Sequence, residues 1–214
     1  MDRGGRGVLK KFFDSGNPLM VALAIAADLI LLNIAALICC LPVVTAGAAL
    51  SALSGVSLQL VRGEETYVMK NYFHSLRVNL KQGIPLGLIF LLAAVLIFVD
   101  YRFALAVAPV LRYPVAAVGI LVLALAIYAF ALQGHFENTI GGTLKNAARL
   151  LAGYLPRTAG MLAFTLVMWL LAIRYFQYGL PVLLMFGFSL PCYVSALLYD
   201  KIFKSLEENE TQDP

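Results

Sequence analysis

The chain has 214 residues, 61% hydrophobic and 13% charged, with a formal net charge of +4 from 16 Lys+Arg against 12 Asp+Glu. Soluble domains carry about 25% charged residues, and a fold of this size could not hide so much apolar surface inside its own core. The composition excludes a disordered chain, a secreted disulfide scaffold and an ordinary soluble enzyme domain, and it points to an integral membrane protein.

Six continuous apolar segments follow one another at approximately 18–42, 44–61, 84–100, 113–133, 156–173 and 179–199. A membrane helix needs about 20 residues, with about 17 at the lower limit, so the second, third and fifth are short. Continuous rather than alternating apolar runs argue for helices and against strands. The expected fold is an all-α six-helix transmembrane bundle carrying one or two cytoplasmic amphipathic surface helices. Residues 1–206 form one transmembrane domain, and 207–214 a polar tail expected to be disordered. The first apolar run exceeds the about 7–15 residues of a signal-peptide core, so it reads as a retained span.

That first span holds Asp28 near its middle, where an acidic side chain costs about 2.5–3.5 kcal/mol. Its twelve Leu, Ile and Val residues outweigh that cost. No Lys or Arg occupies the centre of another span, so Asp28 is left with hydroxyls, amides or water. It reads as a structural carboxyl, as a proton- or substrate-coupling group, or as an interfacial residue. Asn33 lies roughly 140° further round the helix and makes a separate interhelical contact. Pro42 separates the first two spans into a tight hairpin. The second span runs through Gly47, Ala48, Ala49, Ser51, Ala52, Ser54, Gly55 and Ser57. Such small residues let backbones approach closely, or the serines line a polar path. Asp28, Asn33, Thr45 and Ser51 are the candidate intramembrane polar site.

The next connection, 64–82, reads as an amphipathic helix. Met69, Tyr72, Phe73, Leu76 and Leu80 share one face, opposite Lys70, Asn71, His74, Arg77 and Lys81. It suits a helix lying in the membrane interface or a surface that docks a partner. Lys70, His74, Arg77, Asn79 and Lys81 are the candidate partner- or lipid-docking residues. The connection after the fourth span has a similar plan, with Phe136, Ile140, Leu144 and Leu151 as a weaker stripe. Both connections follow a Leu-Gln pair, 58–59 and 132–133, and both end on a glycine and a nearby proline, Gly83/Pro85 and Gly153/Pro156. A duplicated unit of span, surface helix and span, with both copies oriented alike, accounts for this. In the last span Pro191 follows Gly187 and Ser189, and a kink is expected there.

Placing the N-terminus in the cytoplasm puts thirteen of the sixteen basic residues on that side, leaving Arg102, Arg112 and Arg174 outside. Both termini are therefore expected in the cytoplasm. Cys39, Cys40 and Cys192 lie in apolar runs and read as packing residues. No HExxH, nucleophile elbow or phosphate-binding glycine loop occurs. No enzyme activity, metal or cofactor is expected.

Asp28 to Asn33, Leu41 to Gly47 and Ala52-Leu53 resemble the signature of the YesL family of bacterial membrane proteins. Val61-Arg62, Glu64-Glu65, Tyr72-Phe73, Asn79 to Gly83 and, near the C-terminus, Phe186 to Pro191 are similar to it as well. The resemblance implies a bacterial cytoplasmic-membrane protein encoded beside sugar-import systems, and with it a role in carbohydrate uptake. It brings no established site residues. The expected function is a non-enzymatic accessory component of carbohydrate import. The rivals are a self-sufficient secondary transporter with Asp28 as coupling carboxyl, and a structural or assembly protein with no substrate. The expected partners are the lipid bilayer, subunits of a sugar-import system and a second copy of the chain, with no nucleic acid.

Overall fold

A computed structural model describes residues 18–64, 67–136 and 139–212, and everything it describes is helix, turn or short connection. Arg3, Arg6, Lys10, Lys11 and Glu65, used in the sequence argument, lie outside the described residues. Eight α-helices follow in order: α1 Pro18–Cys40, α2 Ala46–Arg62, α3 Val68–Val107, α4 Arg112–His135, α5 Ile140–Gly153, α6 Leu155–Arg174, α7 Phe176–Phe186 and α8 Ser189–Gln212. Single 3₁₀ turns, Val43–Thr45 and Pro109–Leu111, lead into α2 and α4. Five stretches are long and apolar enough to cross a membrane, and the bent pair α7–α8 makes a sixth if the two helices count as one span. The chain is a multi-pass membrane protein, and its spans are those expected from hydropathy.

The hub is α2. Of its membrane-length stretch 61% is buried inside the bundle, against 17–28% for the other four single-helix stretches. Its small side chains explain the difference. A Cβ on Gly47 would lie 2.2 Å from the Gly83 carbonyl oxygen and 2.5 Å from the Gly87 Cα, so α2 and α3 meet backbone to backbone. On another face, a Cβ on Gly55 would lie 2.5 Å from the Gly134 carbonyl oxygen of α4. The small-residue run serves close packing. One buried cluster joins Leu32 of α1 to Leu53, Val56 and Tyr72. Another joins Leu58 of α2 to Leu86, Tyr128, Leu132, Met161, Tyr199 and Phe203. Outward-facing Leu92, Leu96, Leu121, Leu170 and Ile173 are exposed, which lipid contact accounts for.

Three elements depart from expectation. Residues 68–82 do not lie apart as an interfacial helix. They are the first four turns of α3, a continuous 40-residue helix. At 1.5 Å per residue α3 is about 60 Å long, twice the about 30 Å hydrocarbon core, so one part projects beyond it. Its buried stripe, Val68, Tyr72, Asn79, Leu86 and Phe90, runs from the projecting part into the span without interruption. The kink expected in the last apolar segment is present and goes as far as a break, leaving two helices bent by 56° at Gly187–Phe188. Pro191 causes this from four residues away, because its ring clashes with the carbonyl at position 187 and it offers that carbonyl no N–H. The tail expected to be disordered from Glu207 continues α8 as helix to Gln212. No Gly or Pro falls between Pro191 and Gln212 to stop it.

Candidate functional site

The helix break at Gly187–Phe188 leaves backbone donors and acceptors without helical partners, inside a span where water is scarce. Asn33, fully buried on α1, satisfies both sides. Its Nδ2 donates to the Leu183 and Leu184 carbonyls at 3.1 and 2.8 Å. Its Oδ1 accepts from the Phe188 and Ser189 amides at 2.7 and 3.1 Å. Two donors and two acceptor positions are the whole capacity of a carboxamide. No other uncharged side chain of this size offers both sets at once, so Asn33 splices α7 to α8.

The other concentration of polar groups lies at the end of the bundle where α2 and α4 finish and α3 begins. A cleft of about 470 Å³ opens there, lined by Gln59, Asn71, Asn79, Gln82 and Gln133 with His74, Ser75, Lys81 and His135. Gln133 is the keystone, only 6% exposed. Its Nε2 donates to Asn79 Oδ1 at 3.3 Å and to Gln82 Oε1 at 3.2 Å, and its Oε1 accepts from Thr143 Oγ1 at 3.5 Å. Asn79 Nδ2 in turn donates to the Ser75 carbonyl at 2.9 Å, and Asn71 Nδ2 to Gln59 Oε1 at 3.3 Å. Beside the cleft Asp200 of α8 holds Arg62 of α2 and Lys204, each at 2.8 Å, tying α8 to the hub.

The four residues of the expected intramembrane site are not brought together; no hydrogen bond joins any two of them. Asp28 is half-buried at the edge of the packed face of α1, makes no side-chain hydrogen bond among the described residues and does not line the cleft described above. Thr45 Oγ1 lies 2.5 Å from the Cys39 carbonyl and 2.8 Å from that of Pro42, closing the hairpin. Ser51 Oγ donates to the Gly47 carbonyl of its own helix at 2.9 Å. Asn33 alone bridges distant elements.

Of the expected docking residues, Lys70, His74, Arg77 and Lys81 are exposed along the projecting part of α3. Asn79 is not a surface residue. At 7% exposure it belongs to the buried amide network, because it sits on the α3 stripe that packs inward. Gln59, Asn71, Gln82 and Gln133 were not expected as site residues. The signal was available in the repeated Leu-Gln pair, which reads as a mark of duplication and not as a shared cleft. Asp200 gave no signal, since nothing local ties it to Arg62.

Residues 29–101, about a third of the chain, match the model of a family described as "Protein of unknown function, DUF624". That stretch contains Asn33 of the splice and four of the five cleft amides, Gln59, Asn71, Asn79 and Gln82. No curated protein and no solved structure matches the chain.

Proposed function

We propose that this chain is an accessory, non-enzymatic membrane component of bacterial carbohydrate import, with both termini in the cytoplasm. It would dock on importer subunits through the projecting part of α3. The observation that carries the docking element is the exposed basic row Lys70, His74, Arg77 and Lys81, raised above the membrane-buried part of a single rigid helix. A rigid helix presents these groups at fixed spacing, so association costs little ordering entropy. Exposed Lys145 and Arg149 on α5 stand at the same end of the bundle and add to the positive field. The carbohydrate element is supported by the YesL resemblance, since YesL-type proteins carry the domain matched at residues 29–101.

The test is co-purification. A C-terminally tagged chain is extracted in mild detergent and the recovered proteins are identified by mass spectrometry. Sugar-importer subunits are the expected result, with recovery falling at least tenfold in the Lys70→Glu/Arg77→Glu/Lys81→Glu variant. A chain recovered alone, or only with copies of itself, overturns the reading.

A further inference from the structure

We propose that the amide cleft is a binding site for a neutral polyhydroxylated molecule of mono- to oligosaccharide class. The cleft is more than the residue of helix packing. Its about 470 Å³ falls within the about 300–1,000 Å³ of small-molecule sites. The inner amides saturate one another: Gln133 uses both its donors and its oxygen, and Asn79 uses its NH₂ group on Ser75. The outer amides do not. Gln59 and Gln82, which line the cleft, engage only their carbonyl oxygens, in bonds from Asn71 and Gln133, so both NH₂ groups have no partner among the described residues. Asn71 is the complement, donating through Nδ2 while its oxygen has no partner there.

This arrangement selects a chemistry. Two free donor groups and one free acceptor on a fixed, hydrogen-bonded base match hydroxyl groups, each of which both donates and accepts. The described lining contains no carboxylate, so a cation lacks its counter-charge. An anion would meet the outward Asn71 oxygen, with only the exposed rim residue Lys81 carrying fixed positive charge. Phe136, held edge-on by His135 with ring centroids 4.8 Å apart, closes one wall and offers an apolar face for the C–H side of a sugar ring. A preorganised set of neutral amides also lowers the cost of fixing the ligand. The inference deepens the uptake reading by giving it a substrate class, and rests on that reading for the choice of probes.

The experiment uses the full chain purified alone in detergent, so a failure to bind is distinct from a failure to dock. Thermal unfolding is followed with glucose, maltose, cellobiose and raffinose at millimolar concentration, and with glucose 6-phosphate as the anionic arm. A saturating neutral sugar should raise Tm by about 2–4 °C. Gln82→Leu and Gln59→Leu should each weaken apparent affinity at least tenfold. His74→Ala, at the exposed rim and outside the amide network, should fold normally and weaken binding only a few-fold. No shift with any of the four neutral sugars overturns the proposal. So does a shift confined to glucose 6-phosphate, or one that survives unchanged in both Leu variants.

Discussion

Two stretches of the chain carry the same order of features, 46–107 and 112–174, and they end differently. Each begins with a span closing on Leu-Gln. Leu58 and Leu132 enter the same buried cluster, and Gln59 and Gln133 line the same cleft. Each then carries a polar helical segment leading to a glycine and a proline before the next span. In the first copy the segment and the span are one 40-residue helix that runs through Pro85. In the second they are two, α5 and α6, parted at Tyr154, with Pro156 in the first turn of α6. Proline disfavours helix at the residue before it and removes one helical bond, so the second copy does what local sequence asks. The first does not. The difference lies in what each glycine touches. A Cβ on Gly83 would lie 2.6 Å from the Ala48 Cα, whereas one on Gly153 would meet nothing within 4 Å. Packing against α2 holds the helix together where local preference would part it, whereas α5 packs through Thr143, Ala147 and Leu150 and nothing meets its end at Gly153.

The largest effect should come from removing that surface. Gly83→Leu drives a side chain into the backbone of α2, which cannot give way as a flexible side chain would. A loss of about 4 kcal/mol or more is expected, at the extreme of single substitutions. Size-exclusion chromatography after graded heating in detergent should show no monodisperse protein. Gly153→Leu, at the matching place, should stay within about 0.5 kcal/mol of the parent. Similar losses for both would sink the comparison.

The break at Gly187–Phe188 sharpens the contrast, because it lies within a span and is spliced by a side chain. Asn33→Leu keeps the branched side-chain shape but strands two amides and the Leu184 carbonyl, while the Leu183 carbonyl keeps its bond from the Gly187 amide at 2.8 Å. Each buried unsatisfied group costs about 1–3 kcal/mol. Relaxation of α7 against α8 recovers part, leaving a net loss of about 2–4 kcal/mol. Asn33→Asp retains the acceptor pair and removes the donors, so its Tm should fall between the two. A parent-like Tm for Asn33→Leu would mean that the break satisfies itself.

Within the cleft the two glutamines rank as their burial does. Gln133→Leu frees Asn79, Gln82 and Thr143 from their shared partner and should cost about 1–3 kcal/mol in detergent unfolding. Half-buried Gln59 serves Asn71 alone, and Gln59→Leu should cost under about 1 kcal/mol. The reverse order would mean that the network is organised from α2 and not from α4.

What could be read from the sequence follows from the range of each cause. Hydropathy is summed over a span, so the five membrane-length stretches were legible, and so was the packing role of the small residues on α2. The fusion of 68–82 into α3 was hidden, because it depends on Ala48 meeting Gly83 across more than thirty residues. Asn33 was legible as an interhelical contact, but not as a splice, since its four partners lie some 150 residues away. Asp28 drew attention through its charge and makes no side-chain hydrogen bond among the described residues, while neutral Gln59 and Gln133 line the cleft. Charge is conspicuous in an apolar sequence; a carboxamide becomes so only when its neighbours are known.

The smallest expected effect separates the two explanations of the Tyr154 break. Gly153 is the last residue of α5, and replacing it with alanine adds helix propensity worth up to about 1 kcal/mol, less at a terminus. If glycine caused the break, Gly153→Ala would let α5 run into α6, as α3 runs through Pro85. If the lack of a packing surface is the cause, the break remains. Pro156 still withholds an N–H from the Ala152 carbonyl, and nothing presses the two helices into line. Spin labels at the exposed positions Gly141 and Leu171, in a cysteine-free background, report the angle between the helices as a distance. That distance should be unchanged in Gly153→Ala, with Tm raised by no more than about 2 °C. A lengthened distance would transfer the cause from packing to glycine, and the contrast between the two copies would then be one of local sequence after all.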